Sequence, residues 1–320
     1  MPHPQEPLLS VRHLKTHFPL DEGTVVAVDG ASFDVYPGQT LGIVGESGCG
    51  KSVAARSILG ILDKPGRIVE GEVWFRRRSD NGASGEASGL GEPVDLAAFD
   101  PSGKEMRAIR GGEIALVFQE PMTSFSPVHT IGNQIIEAIL LHRDVTPKEA
   151  RASAIELLRQ VGIPVPEQRV DEYSFQLSGG LRQRAMIAMA LSCHPSLLIA
   201  DEPTTALDVT TQAQILDLMR RLQQDFGMAI MLITHDLGVV AEMADHVAVM
   251  YLGQVVESAP VDEIFHAPKH PYTQALLQSI PRMQSNVREP LASITGAVPH
   301  PYARPSGCPF HPRCPAFVPG

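Results

Sequence analysis

Gly45-Glu46-Ser47-Gly48-Cys49-Gly50-Lys51-Ser52 is the stretch that decides the fold. It fits the pattern G-x-x-x-x-G-K-[ST] and stands in the surroundings that pattern needs. Thr40-Leu41-Gly42-Ile43-Val44 before it reads as a short apolar strand, and Ser52 to Leu62 after it as a helix. Glycines let the main chain approach a phosphate closely, while the loop amides and the helix N-terminus attract its negative charge. Lys51 can reach the β and γ phosphates and Ser52 can bind Mg²⁺, so Gly45, Glu46, Ser47, Gly48, Cys49, Gly50, Lys51 and Ser52 are candidate nucleotide-binding residues. A glycine turn with a chance lysine would reproduce the letters without the flanking strand and helix.

Further along, Ser196-Leu197-Leu198-Ile199-Ala200-Asp201-Glu202 sets two carboxylates at the C-terminal end of an apolar strand, where open α/β sheets present their ligands. Asp201 suits a metal reached through water, and Glu202 suits a general base that polarises an attacking water. Acidic pairs that merely end a strand are common, and it is the phosphate loop upstream that gives this pair its meaning.

The chain between these motifs alternates strand and helix, as a largely parallel sheet requires. Strands are expected at Leu197 to Ala200 and Met228 to Thr234, with a helix from about Thr211 to Gln224 between them. Leu8 to Thr16, Val25 to Val28 and Ala31 to Val35 read as an antiparallel edge, broken at Asp21-Glu22-Gly23 and Pro37-Gly38. Helical periodicity dominates Ile131 to Val161, where Thr146-Pro147-Lys148-Glu149 caps and opens one helix, and a helical subdomain is expected over about 121–195. Arg76 to Lys104 is polar and Gly/Ser-rich and reads as a flexible surface insertion. Beyond Phe265 lie eleven of the 27 prolines, too many for continuous helix or sheet, so 266–320 reads as an extension on a 1–265 domain.

Bulk properties narrow the function classes. Hydrophobic residues make up 43% and charged residues 19% of the 320, as in an ordinary globular protein. Twenty-six Lys and Arg against 36 Asp and Glu leave a formal charge of -10, which repels nucleic acid, so no nucleic-acid partner is expected. No stretch approaches the roughly 18 to 20 apolar residues of a spanning helix, and Met1 to Ser10 lacks the pattern of a signal peptide. Cys49 and Cys193 lie in a loop and a helix far apart in sequence, which argues against a disulfide framework.

Leu177-Ser178-Gly179-Gly180, followed by Leu181-Arg182-Gln183-Arg184, reads locally as a serine cap opening a helix. With the phosphate loop before it and Asp201-Glu202 after it, the chain from about residue 8 to 265 resembles the ABC ATPases. In that family's order, Gln119 resembles the Q-loop glutamine, Thr205-Ala206-Leu207-Asp208 the D-loop, and His235 the switch histidine. Singly these residues read as a surface amide, a helix cap and a strand-end histidine; the ordered set carries the likeness.

The resemblance implies an α/β P-loop ABC nucleotide-binding domain with an antiparallel β subdomain, a helical subdomain and the proline-rich extension. It implies ATP and Mg²⁺, with Glu202, His235 and Gln119 catalytic and with Ser52, Gln119 and Asp201 at the metal. It further implies a head-to-tail dimer in which Ser178 and Gly180 touch ATP held by the partner, with Gly179 and Asp208 also among the nucleotide-binding residues. Phe18 stands where the family usually stacks an aromatic on adenine, although an aromatic in such a strand also serves as core.

Within the family, Phe118-Gln119-Glu120-Pro121-Met122-Thr123-Ser124, His270-Pro271-Tyr272-Thr273-Gln274-Ala275-Leu276-Leu277 and Gly307-Cys308-Pro309-Phe310-His311-Pro312-Arg313-Cys314-Pro315 resemble the oligopeptide, dipeptide and nickel importer ATPases. That likeness implies two transmembrane permease subunits, a second ATPase subunit, an extracytoplasmic solute-binding protein acting indirectly, and a peripheral location on the cytoplasmic face of the cell membrane. Peptide uptake is the favoured function. A nickel or small-solute importer, and more remotely a soluble ABC ATPase remodelling a nucleic-acid or protein complex, are the alternatives. Some relatives hold an iron-sulfur cluster in this tail, but a cluster usually takes four thiolates and only Cys308 and Cys314 are near, so reduced structural thiols or an incomplete cluster motif are favoured.

Overall fold

The computed structural model describes residues 6–78, 90–119, 124–205, 207–280, 294–300 and 302–318. Two sheets form its frame. A four-stranded antiparallel sheet has the order β2-β1-β4-β5, with β1 Leu9–Leu20, β2 Gly23–Val35, β4 Arg67–Arg78 and β5 Leu90–Asp95. A six-stranded sheet has the order β10-β9-β3-β8-β7-β6, with β3 Thr40–Val44, β6 Ile114–Val117, β7 Leu197–Asp201, β8 Ala229–Thr234, β9 His246–Tyr251 and β10 Gln254–Pro260. All its neighbours pair in parallel except β10, which closes one edge antiparallel to β9. β3, β7 and β8 are buried along their whole length, so they are continuous apolar runs without alternation.

The helices follow the local chemistry of their sequences. α1 Lys51–Ile58 is shorter than the apolar pattern suggests, because Gly60 turns left-handed just beyond it. α2 Lys104–Ile109 lies between the sheets' segments, and α3 Ile131–His142 is capped by the Thr130 side chain. α4 Pro147–Gln160 opens on the expected device: Thr146 caps Glu149, Glu149 caps Thr146, and Pro147 takes the first helical position. With α5 Pro166–Arg169 and α6 Gly179–Leu191 these helices share one core of Ile135, Ile139, Leu157, Leu158 and Met186. α7 Val209–Phe226 and α8 Leu237–Met243 flank β8, α9 Val261–His266 follows β10, and α10 Pro271–Gln278 opens the extension.

Two expectations need correction. Val25–Val28 and Ala31–Val35 are one strand, since bulges absorb the irregular register and Gly30 bends without a break. The flanks of the 76–104 insertion are also structured. β4 continues through Arg76, Leu90–Asp95 pairs with it, and a 3-10 turn follows at Leu96–Ala98. An edge strand on an open sheet needs few apolar side chains, which is why this one was hidden in polar sequence. Residues 79–89 lie outside the described residues.

A second core, with Leu9, Ile43, Ile58 and Phe75, sits between the two sheets. A third joins the extension to the sheet: Tyr251 of β9, Tyr272 of α10 and Phe310 pack with ring centroids 4.7 to 5.3 Å apart. Full burial of each such ring contributes about 1.5–3 kcal/mol. Among the described residues no helix is long and apolar enough to cross a membrane.

Candidate functional site

The phosphate loop leaves the buried end of β3 and enters α1 through Gly50, whose φ of 101° places it in the left-handed region. A Cβ there would lie 2.3 Å from the Ala27 carbonyl oxygen, and one on Gly45 would lie 2.2 Å from that of Met250. Both positions therefore require glycine on grounds of space alone. Lys51 is buried, and its ammonium donates to the carbonyl oxygens of Gly45 at 2.8 Å and Glu46 at 3.1 Å. The loop thus holds its own cation over the cleft. Cys49 is buried too, and burial pushes its thiol up, so it stays protonated as a packing residue.

The sheet order brings the carboxylates alongside. β3, β8 and β7 are neighbours, so the loop after β3 faces the end of β7. Ser52 Oγ donates to Asp201 Oδ1 at 2.9 Å. Burial raises the Asp201 carboxyl above its ordinary range, and the Ser52 hydrogen bond only partly opposes this. Hydroxyl and carboxylate oxygens gathered here, with the Gln119 amide nearby, make the hard-oxygen donor set that Mg²⁺ takes, so the residues fit that ion.

Glu202 is the most constrained side chain of the site. Its backbone is left-handed, φ 47°, and its N–H donates to the Ile233 carbonyl at 2.8 Å. Such a conformation costs a glutamate on the order of 1 kcal/mol and is held only by its surroundings. Gln119 Nε2 donates to Oε2 at 3.0 Å, Thr205 Oγ1 to the same oxygen at 2.9 Å, and His235 Nδ1 lies 3.1 Å from Oε1. Burial would raise this carboxyl, but the hydrogen bonds from His235 and Thr205 outweigh it and hold Glu202 below the usual range. It is ionised at neutral pH, as a proton acceptor must be.

A cleft of about 290 Å³ joins these groups, walled by Ser47, Gly48, Gly50, Lys51, Ser52, Gln119 and Glu202. Its remaining walls come from Val25, Val26 and Ala27 of β2, Val53 of α1, Leu252 after β9 and Arg304 of the extension. None of these last six is marked by a motif; what unites them is the packing of distant segments. Phe18 is not in the wall. It pairs across the hairpin with Val25, which is, and its ring lies against Gly66, where a Cβ would stand 2.5 Å away.

Four of the expected residues lie away from this cleft. Ser178 caps α6 at the surface, with Gly179 beside it and Gly180 against Thr211. Asp208 caps α7, accepting from Thr211 N at 3.0 Å and Thr211 Oγ1 at 2.7 Å. Ala206, between Thr205 and Leu207 in the D-loop pattern, and Glu120 to Thr123 after Gln119 lie outside the described residues. Glu46 turns its side chain away from the cleft, to Arg313. Cys308 is exposed, Cys314 is half-buried, and among the described residues no three or more His, Cys, Asp or Glu gather to hold a metal.

A parallel sheet with a phosphate loop at its centre, an oxygen pair for Mg²⁺ and an ionised, gripped glutamate define a P-loop ATPase with a helical subdomain. The chain belongs to the ABC transporter family, whose model matches residues 28–205, and it is that family's ATP-binding, ATP-hydrolysing subunit. The model of the oligopeptide/dipeptide transporter C-terminal region matches residues 256–320. The dipeptide transport ATP-binding protein DppD of Escherichia coli is 51% identical over 308 residues, 96% of this chain and 88% of its own length. The oligopeptide transport ATP-binding protein AppD of Bacillus subtilis is 50% identical, over 96% of this chain and 88% of its own. Among solved structures, the post-hydrolysis dimer of the ATP-binding cassette MJ0796 bound to ADP and Pi superposes with a TM-score of 0.65 at 25% identity, covering 79% of this chain and 98% of that one.

Proposed function

We propose that the chain is the motor of an importer for di- and oligopeptides, working at the cytoplasmic face of the cell membrane on two permease subunits with a second ATPase subunit, and fed by a solute-binding protein. The observation that carries the catalytic part is the grip of Gln119, Thr205 and His235 on the Glu202 carboxylate. The peptide assignment draws support from the oligopeptide/dipeptide C-terminal region at 256–320 and from the named functions of the relatives.

Lys51 and the amides of Ser47, Gly48 and Gly50 bind the phosphates, with Val25 to Ala27 and Leu252 on the base and ribose side and Phe18 at its border. Ser52 and Asp201, with Gln119, would hold Mg²⁺, which when bound would neutralise charge on the phosphate oxygens. Glu202 takes the proton of the attacking water as its oxygen bonds to the γ-phosphorus. The bond to the β–γ bridging oxygen breaks, and its electron pair leaves with ADP. His235 holds Glu202 in line and reaches the γ-phosphate, and Gln119 links the base to the permease side. Ser178, Gly179, Gly180 and Asp208 lie exposed or outside the cleft because their nucleotide is held by the partner ATPase. The free amides at the start of α6 are suited to a γ-phosphate.

Uptake of a labelled dipeptide by cells carrying Glu202→Gln in place of the native chain tests the reading. Loss of dipeptide uptake supports it. Undiminished dipeptide uptake with loss of nickel accumulation overturns the substrate class.

A further inference from the structure

Glu46 is the first variable residue of the phosphate loop, yet nothing in its contacts serves phosphate directly. Its carboxylate meets the guanidinium of Arg313 end on, Nη1 donating to Oε2 at 2.7 Å and Nη2 to Oε1 at 3.0 Å. Its N–H donates to the phenol oxygen of Tyr272 at 2.9 Å, so this loop amide is spent on the extension. Its carbonyl oxygen accepts from Lys51 Nζ at 3.1 Å. One residue therefore joins the extension, through side chain and amide, to the lysine of the cleft, through its carbonyl.

Both partners come from far along the chain, 226 and 267 positions beyond Glu46, and both stand on a rigid platform. Tyr272 is wholly buried between Tyr251 and Phe310. Burial pushes its phenol far up, so it stays neutral and available as an acceptor. The Arg313 side chain is 4% exposed. Beyond Glu46 it donates through Nε to the Thr295 carbonyl at 3.2 Å and lies 5.8 Å from the centre of the Tyr251 ring. A charge so enclosed is stable only while its partner is in place, so Glu46 cannot drift without stranding it.

We propose that the carboxy-terminal extension braces the phosphate loop from behind, with Arg313 and Tyr272 as positioning residues that set ATP affinity by fixing Glu46 and, through its carbonyl, Lys51. This rests on the reading of the cleft as the ATP site. It gives the extension a part in nucleotide binding although neither residue lines the cleft. A clasp that merely kept the tail on the domain would show in stability alone. A brace shows in nucleotide affinity as well.

The test measures Mg·ATP binding by the purified full-length chain, with thermal unfolding alongside. Tyr272→Phe removes only the hydroxyl and keeps the ring packing; Arg313→Met keeps the stem and removes the fork. Each is expected to raise the dissociation constant about three- to tenfold. Arg313→Met combined with Glu46→Gln is expected to be no worse than the worse single change, because both break one contact. Affinities within twofold of wild type in folded variants, or additive losses in the pair, would overturn the brace. Should Arg313→Met not fold, Tyr272→Phe alone decides. Failure of the wild-type chain to bind Mg·ATP at all would instead remove the ATP reading on which the brace rests.

Discussion

The amide of Gln119 donates to the carboxylate of Glu202 at 3.0 Å, joining the segment after β6 to the end of β7. The sheet makes the meeting unavoidable: β6 and β7 run parallel with Val117 opposite Ala200, so the residues just past each strand emerge side by side. On the proposed reading, in which Gln119 faces the permease and Glu202 accepts the proton, the two are in direct contact.

If Glu202 is the base, Glu202→Gln keeps the shape but puts an amide donor in place of one carboxylate oxygen and loses the proton acceptor. Turnover should fall by about 10²–10⁴-fold with ATP affinity nearly unchanged. Steady-state hydrolysis and equilibrium binding on the same preparation check this; wild-type turnover would remove Glu202 from the role.

Asp201 and Glu202 respond to pH in opposite directions. The Asp201 carboxyl is raised by burial, so its charged form costs stability at neutral pH, and that cost is lost as pH falls through the folded-state value toward the ordinary one. Glu202 is held low, so its contribution is present above its ordinary range and is lost as pH falls through its folded-state value. Asp201→Asn should therefore stabilise the nucleotide-free chain by about 1 kcal/mol while stopping Mg²⁺-dependent hydrolysis. Thermal unfolding at pH 7 reads the first effect, and a lowered melting temperature would contradict it.

Gly50→Ala should not be tolerated. Its Cβ would enter the Ala27 carbonyl oxygen at 2.3 Å on a left-handed backbone, a cost of about 3 kcal/mol or more. Loss of nucleotide binding and a drop in unfolding midpoint are expected together.

Phe18 separates two readings of one ring. Opposite Val25 it borders the cleft, and against Gly66 it is core. Stacking on adenine predicts that Phe18→Ala raises the ATP dissociation constant about three- to tenfold. Unchanged affinity with reduced stability would assign the ring to the core alone.

The chemistry of this site is legible in sequence where consecutive residues make it. Lys51 and Ser52 open a helix straight after a glycine loop, and Asp201 and Glu202 end a buried strand, so each motif carries its own structural setting. The rest depends on folding at a distance. Val25 to Ala27, Leu252 and Arg304 share a wall only because two sheets and the extension converge there. The contact of Glu46 with Arg313 spans 267 positions and leaves no periodicity behind. The strand Leu90–Asp95 was equally hidden: its polar composition suits an edge, and Asp95 Oδ1 ties it down by accepting from Val73 N at 2.9 Å and Ala97 N at 3.0 Å.

The most direct test of the importer motor is to purify the tagged chain from its native membranes in mild detergent and identify what comes with it by mass spectrometry. Two polytopic membrane proteins and a second ATPase are expected. Recovery from the soluble fraction with only nucleic-acid or ribosomal partners would contradict the transport role and leave the ATPase chemistry standing.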